Sequence, residues 1–409
     1  MQNIDRRTFV KRSGGAVAAT LSLASATLLK AQGANDRINV GVIGTGSRGC
    51  YLIDRMKNVP GVEITDVCDI YPPSLAEGLK QAGGKARTHK DHRKLLEMKE
   101  IDVAFVVTPL VYHVPQCLDA LEAGKHIFCE KSMGYTVKEC DRLVEATGKS
   151  GKVVQIGYGP HDARQKKIRE LLTTGSIGRV TQIFSHYHRN STWEREVPEP
   201  EWWKPLNWRL YWEYCGGLLT ELVSHQLTAL NWLLDSHPLS AVGSGGVDLY
   251  TQHERETWDH VNVVYDYPGG VRLDATAILS NARYGYSMTI MGTHGTIVMD
   301  RRGSRIYWEP ETRHLDSLGV SAEHFKVQLG QSLKDDETPD ESPGKVIETG
   351  EEDDRRESMI ANFFNCVREN GHPAIDVQEG RRSSTTSLLG NRAIREGRKV
   401  MWDEMINYG

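Results

Sequence analysis

Three groups of residues have types and spacings that can do chemistry. Gly44-Thr45-Gly46-Ser47-Arg48-Gly49 follows the G-x-G-x-x-G pattern behind an apolar run, and Asp69 closes the next apolar run. Gly44 permits a tight turn, Gly46 lets backbone amides approach a diphosphate, and Gly49 lets a helix lie close on a strand. The helix that begins there offers unpaired N–H groups and a partial positive charge to an anion. Asp69 is placed to accept hydrogen bonds from ribose hydroxyls, and its charge repels a 2′-phosphate, which favours NAD over NADP. The second group is Glu130-Lys131, just past the end of "HIFC". A Lys at that edge can hydrogen-bond a substrate hydroxyl, lower its pKa and support hydride transfer. The third is residues 191–215, which hold Trp193, Trp202, Trp203, Trp208 and Trp212, five of the nine tryptophans, among charged residues. Such a segment either stacks on sugar faces, with Trp208, Tyr211 and Tyr214 as substrate contacts, or packs on a partner subunit. His186, Tyr187 and His188 on the strand before it could reach the cleft, with His186 and His188 on one face as further substrate candidates. His161 and Arg164 are weaker ones. No carboxylate or Cys pattern accompanies the histidines, so no metal site is expected.

The elements that must position these residues alternate. "RINVGVIG", "VEITDVCD", "DVAFVV", "KHIFCE" and "KVVQIGY" read as strands, separated by helical stretches, the order expected of a parallel sheet with crossover helices. Thr136 and Glu139 form a capping box at the last of these helices, and Gly124 ends the one before. Beyond residue 158 the pattern changes. A helix near 161–174, the strand "GRVTQIFSHYHRN", the helix "GGLLTELVSHQLTALNWLL" and several strand-like runs over 239–309 predict an antiparallel or mixed sheet. The acidic stretch 333–354 reads as an exposed loop, and helices near 355–370 and 378–397 close the chain. The fold class is therefore α/β: an N-terminal Rossmann dinucleotide-binding domain over 35–158 and a C-terminal α+β domain over 159–409 for substrate binding and oligomerisation. The final helices are free to pack back on the first domain.

The chain of 409 residues is long enough for two cores, and its net charge of −4 is spread along it, which points to neither a nucleic-acid surface nor a membrane-binding face. Residues 1–34 contain Arg6-Arg7-Thr8-Phe9-Val10-Lys11, a twin-arginine pattern, then a weakly hydrophobic Ala/Ser-rich stretch with a small-x-small site at Ala24-Ser25-Ala26. That predicts export of an already folded protein to the periplasm, with no membrane insertion after signal removal. Seven cysteines without C-x-x-C spacing argue against a disulfide framework.

Taken together, "GVIGTGSRG", "VVTPLVYH", "GKHIFCEKSM" and "GGLLTELVSHQLTAL" resemble the glucose–fructose oxidoreductase/inositol dehydrogenase/MocA (Gfo/Idh/MocA) family from about residue 37 to 300. The resemblance implies that Lys131, in the position of the family's E-K-P lysine, is catalytic, and that Thr108, Pro109 and His113 join Glu130 and Lys131 around the nicotinamide half. Ser132 stands where the family has Pro, which predicts a less rigid loop. The family's second motif falls on Gly216, Gly217, Glu221, Val223 and His225. It makes His225 the general acid/base, with Glu221 in place of the family's Asp, four residues earlier and on the same helix face. Val223 in place of Gly would crowd any close approach of backbone there.

The function expected is an exported NAD-dependent oxidoreductase acting on a sugar, sugar derivative or polyol. Outside the cytoplasm its cofactor would have to be tightly bound and recycled. A redox-neutral, NAD-dependent glycoside hydrolase of the α-N-acetylgalactosaminidase type is the alternative, and a non-catalytic sugar-binding protein a third. Family members often pair through the outer face of the second domain's sheet, so a homo-oligomer is expected.

Overall fold

The computed structural model describes residues 37–159, 161–309, 344–349 and 355–406. The export signal at 1–34 lies outside the described residues, as does most of the acidic stretch. In the first domain, strands β1 (Ile38–Ile43), β2 (Val62–Cys68), β3 (Arg87–His89), β4 (Val103–Val106), β5 (His126–Cys129) and β6 (Val154–Ile156) form one parallel sheet in the order β3-β2-β1-β4-β5-β6. Helices α1 (Ser47–Met56), α2 (Pro72–Gln81), α3 (His92–Leu96), α4 (His113–Glu122) and α5 (Val137–Ser150) connect them. Strand β4 is buried along its whole length, as a central strand covered on both faces must be. Helix α1 turns Leu52, Ile53 and Met56 inward, and α5 starts at the Thr136–Glu139 capping box. The chain leaves β1 on one side of the sheet and β4 on the other, so a crevice opens between their C-terminal ends. Gly44, Asp69, Thr108 and Lys131 all follow strands at that edge.

The second domain is built on a nine-stranded sheet. After α6 (Ala163–Thr173) come β7 (Val180–His188), α7 (Ser224–Leu233), β8 (Ser240–Gly246), β9 (His260–Asp266), β10 (Arg272–Ile278), β11 (Tyr286–Gly292), β12 (Gly295–Asp300), β13 (Gly303–Trp308), β14 (Lys345–Val346) and finally β15 (Val400–Met401). The sheet order is β14-β13-β12-β11-β7-β10-β9-β8-β15. β7 pairs with β10 in parallel and the other pairings are antiparallel, which makes the sheet mixed. One face carries Ile183, Val263, Leu273, Ala275 and Ile290 into a core shared with Leu227 and Leu230 of α7. All seven cysteines are free, and no described helix is long and apolar enough to cross a membrane.

The last two helices tie the domains together. Helix α8 (Arg355–Glu369) lies on the first domain, where Phe363 and Phe364 are fully buried against Phe105 and Phe128. The Phe105 and Phe128 rings stack at 4.7 Å, and Phe363 meets them edge-on at 5.6 and 5.7 Å. Ile156 of β6 donates its N–H to the Ile375 carbonyl at 3.0 Å, so the segment after α8 is fastened to the edge strand of the first sheet. Helix α9 (Val377–Glu396) then runs between the domains: Ser384 Oγ accepts from Met133 N at 3.0 Å, and Asn391 Nδ2 donates to the Gly216 carbonyl at 2.8 Å. Its buried Ser383–Ser387 run is short enough in side chain to admit such close approach.

Candidate active site

The glycine turn has the geometry a dinucleotide needs. Gly44 sits at φ +94°, in the region that favours glycine, and a Cβ there would lie 2.5 Å from the Val107 carbonyl oxygen. A Cβ on Gly49 would lie 2.0 Å from the Gly44 carbonyl oxygen, so only hydrogen lets α1 approach β1. At Gly46, the residue before α1, a Cβ would meet no protein atom within 4 Å: the space in front of the helix tip is open. Asp69 Oδ2 accepts from Thr45 N at 2.8 Å and Oδ1 from Tyr71 N at 2.9 Å, which fixes the carboxylate at the cleft wall with lone pairs to spare. Burial outweighs these N–H bonds and raises its pKa. Thr45 itself is buried behind the turn, bonded to Asp69 and to the Ser74 carbonyl. The cleft encloses 630 Å³ and is lined from Gly44, Ser47 and Arg48 through Asp69 and Tyr71 to Thr108 and Pro109. These residues fit a bound dinucleotide.

Arg48 and Arg209, from opposite domains, line the same cleft, and each reaches a carboxylate buried behind it. Arg48 Nε is 2.7 Å from Glu130 Oε1, and Arg209 Nε is 3.0 Å from Glu221 Oε2. Lys131 Nζ, next along from Glu130, donates to the Glu221 carbonyl at 3.0 Å and to the Thr220 carbonyl at 3.4 Å. Those carbonyls are exposed to it by a local widening of the helix. Residues Leu219–Val223 form a π-turn in which Ser224 N–H reaches back five residues to the Leu219 carbonyl. Of the two residues expected to share a face, Glu221 pairs with Arg209, while the His225 ring lies edge-on to Tyr158 at 5.7 Å and tilted against Tyr187 at 6.3 Å. Burial alone would raise the Glu221 pKa, but the charges of Lys131 and Arg209 outweigh it and hold the carboxyl below the usual range. His225 is pushed down to about 3, by burial first and then by the cations of Lys131, Arg48 and Arg189. Its imidazole is thus neutral at neutral pH, and its nitrogens make no hydrogen bond among the described residues. The Val223 side chain is fully buried in the second domain's core.

Four expected contacts are corrected by the geometry. His186 and His188 do share a face, but it is the outer one. Tyr187 points to His225, so its neighbours point away: His186 stacks on Tyr284 at 4.9 Å, and His188 is held by Thr276 Oγ1 and the Arg283 carbonyl, each at 2.8 Å. Tyr211 is buried in its own segment, its hydroxyl accepting from Trp203 Nε1 and donating to the His253 carbonyl, both at 3.0 Å. His113 is buried, its ring between the Ser132 carbonyl (2.7 Å) and the Thr108 carbonyl (2.8 Å), so it braces the two loops and lies outside the cleft lining. Nor is the loop at Ser132 slack. Ser132 is fully buried, with Oγ 3.0 Å from both the Tyr158 hydroxyl and the Thr220 carbonyl. Trp208 and Tyr214 do line the cleft, whereas His161 stacks on Trp232 at 3.9 Å and Arg164 bonds the Asp300 carbonyl. Sequence reasoning missed Tyr158, Arg195 and Arg209, whereas Tyr187, named with its two neighbours as able to reach the cleft, packs against His225.

Comparison with known proteins agrees with this geometry. The profile of the oxidoreductase family with an NAD-binding Rossmann fold matches residues 38–158, and that of the GFO/IDH/MocA C-terminal domain matches 165–298. Inositol 2-dehydrogenase 3 of Saccharopolyspora erythraea is 31% identical over 271 residues, 64% of this chain and 72% of that protein. A glycosyl hydrolase family 109 protein of Shewanella baltica is 28% identical over 242 residues, 52% of this chain and 51% of its own. Among solved structures, levoglucosan dehydrogenase in complex with NADH and levoglucosan superposes with a TM-score of 0.68 at 18% identity, over 89% of this chain and 99% of that one. With the glycine turn and the cleft lined from both domains in place, the chain belongs to the Gfo/Idh/MocA family of NAD-dependent oxidoreductases.

Proposed function

We propose that this enzyme oxidises a hydroxyl-bearing carbon of a sugar, sugar derivative or polyol. Inositol and levoglucosan, named for the relatives above, are substrates of that class. When bound, NAD supplies the hydride acceptor. The chain's own residues do the rest. Lys131 keeps its ammonium fixed by two helix carbonyls and has a third proton for the substrate oxygen. His225, whose ring nitrogens have no hydrogen-bond partner among the described residues, is the group on the second-domain helix that can accept the hydroxyl proton, once bound substrate and cofactor offset the cations that depress its basicity. Tyr158 and Tyr187 flank the imidazole and fix its plane. Asp69 favours NAD over NADP by charge. The observation that supports this reading is a glycine-turn cleft behind which the Lys131 ammonium of the first domain crosses to the carbonyls of Thr220 and Glu221, just before His225 in the second domain.

The twin-arginine segment supports export to the periplasm, and export in turn supports a cofactor that stays bound and is returned to its starting state each cycle. A redox-neutral glycoside hydrolase reading uses the same residues and is favoured by the likeness to the family 109 protein. Incubation with a panel of sugars, polyols and aryl glycosides, following NADH absorbance and sugar release together, tests both. Net NADH formation or exchange between two sugars supports the oxidoreductase. Sugar release without NADH supports the hydrolase, and neither activity in a protein that retains dinucleotide would overturn both.

A further inference from the structure

Residues 191–215 are neither a core element nor a free loop. They leave β7, run across the mouth of the cofactor cleft through short helical turns at Pro200–Trp202, Trp203–Leu206 and Trp208–Leu210, and return to the second domain before the π-turn. The second domain holds the segment from behind. Arg255 donates to the Thr192 carbonyl at 2.9 Å, Thr257 Oγ1 to the Arg209 carbonyl at 2.8 Å, and Trp212 N–H to Glu256 at 2.9 Å. Asn207 fastens the segment to itself, accepting from Arg195 N at 2.7 Å.

Its other side meets the first domain where the dinucleotide fits. Arg195 reaches Ser47 Oγ at 3.4 Å, beside the open space at the N-terminus of α1. Trp202 pairs with Tyr71, two residues past Asp69, at a ring distance of 5.1 Å, and Glu199 lies 3.4 Å from the Tyr71 hydroxyl. Arg195, Trp202 and Trp208 all line the cleft. Arg209 is neutralised by Glu221, but no carboxylate pairs with Arg195 among the described residues. Partial desolvation, and then the Arg209 charge, lower the Arg195 pKa, and an anion placed beside it would oppose both effects.

We propose that residues 191–215 are a cofactor strap supplied by the second domain, in which Arg195 binds the diphosphate of NAD(H) opposite the α1 N-terminus and Trp202 with Tyr71 walls its adenosine end. The proposal rests on the cofactor reading above and assigns the aromatic segment to holding the dinucleotide, with only its inner end, at Trp208 and Tyr214, left to face substrate. Crossing from one domain to the other, the strap blocks the outward path of the bound dinucleotide, so release requires it to lift.

The test uses the full-length protein and NADH as probe, with tryptophan-to-NADH energy transfer reporting release after a chase of excess NAD. Arg195→Met is expected to release NADH about 10- to 100-fold faster than the parent, the effect of one charge-assisted contact to phosphate, and Arg195→Lys should recover part of the loss. The parent's release should quicken with added salt, and that of Arg195→Met should depend on salt less. Trp202→Ala should also release faster, with the parent's salt dependence intact. The Arg195 side chain bonds only Ser47 among the described residues, so the cofactor-free variant should melt as the parent does. Parent-like release and salt dependence in Arg195→Met would overturn the strap while leaving the cofactor reading untouched. Failure of the parent to bind NADH would overturn both.

Discussion

The two glycines that frame the α1 tip should respond to the same added methyl in opposite ways. Gly46 sits at φ −62° and ψ −174°, a conformation any L-residue adopts, and its Cβ would touch no protein atom. Gly46→Ala should therefore leave the cofactor-free fold intact, or stabilise it by about 0.4–1 kcal/mol through the lost freedom of the unfolded chain. The same methyl stands in the space a diphosphate must enter. Overpacking of that kind costs about 1–3 kcal/mol, which is roughly 5- to 150-fold in NADH affinity. Gly49→Ala is the contrast. Its Cβ would fall 2.0 Å from the Gly44 carbonyl oxygen, a contact that only movement of backbone can relieve. Stability should fall by about 1–3 kcal/mol even without cofactor, and NADH binding should fall with it because Gly44 is displaced. Urea unfolding of both variants, with and without a fixed NADH concentration, separates the outcomes, since a ligand that binds only the folded state adds stability according to its occupancy. Parent-like NADH stabilisation in Gly46→Ala would refute the assignment of the helix tip to the diphosphate. Parent-like stability in cofactor-free Gly49→Ala would refute the packing argument.

Lys131→Met should still bind NADH but lose about 10²- to 10⁴-fold in turnover; steady-state rates against direct NADH titration check the split. His186→Ala should leave KM for the sugar unchanged while Tyr187→Ala raises it, because only the tyrosine faces His225. Phe363→Ala should cost about 3–5 kcal/mol and Phe363→Leu less than about 1.5 kcal/mol, read from urea midpoints. The sign of the pH effect follows from His225. Its folded pKa lies near 3, below the unfolded value near 6.5, so the unfolded chain binds the proton first. The contribution to stability is complete above about pH 6.5 and is lost as pH falls toward 3. The cofactor-free parent should therefore lose stability more steeply than His225→Asn between pH 6.5 and 4, and equal slopes would contradict the burial argument.

Much of the site could be read from local pattern. The glycine spacing and Asp69 are legible because each role depends on backbone geometry within one strand–turn–helix unit, and the strand edges place Thr108 and Lys131 at the crevice once a parallel sheet is assumed. What depends on tertiary direction was not legible. Alternation says that His186 and His188 share a face, but only the packing of α7 decides that Tyr187 is the inward residue. Four-residue spacing puts Glu221 and His225 on one helix face, but it does not show that the helix opens into a π-turn there, or that Glu221 pairs with Arg209 while His225 packs against two tyrosines. His113 carries the residue type of a site histidine, yet burial between two carbonyls makes it a brace. The aromatic segment announced itself by composition, while its place over the dinucleotide cleft depends on contacts such as Arg195 to Ser47, 148 positions apart.

The Phe363 contact with Phe105 and Phe128 has a bearing on the order of events during synthesis. A ribosome finishes the six strands of the nucleotide-binding lobe long before it reaches the helix that plugs the back of their sheet. Until then two aromatic rings of that lobe lack their covering partners, and the β6 edge lacks the carbonyl of Ile375. The nascent lobe is accordingly an incomplete vessel, and loading with dinucleotide should follow translation of the distal chain instead of accompanying it.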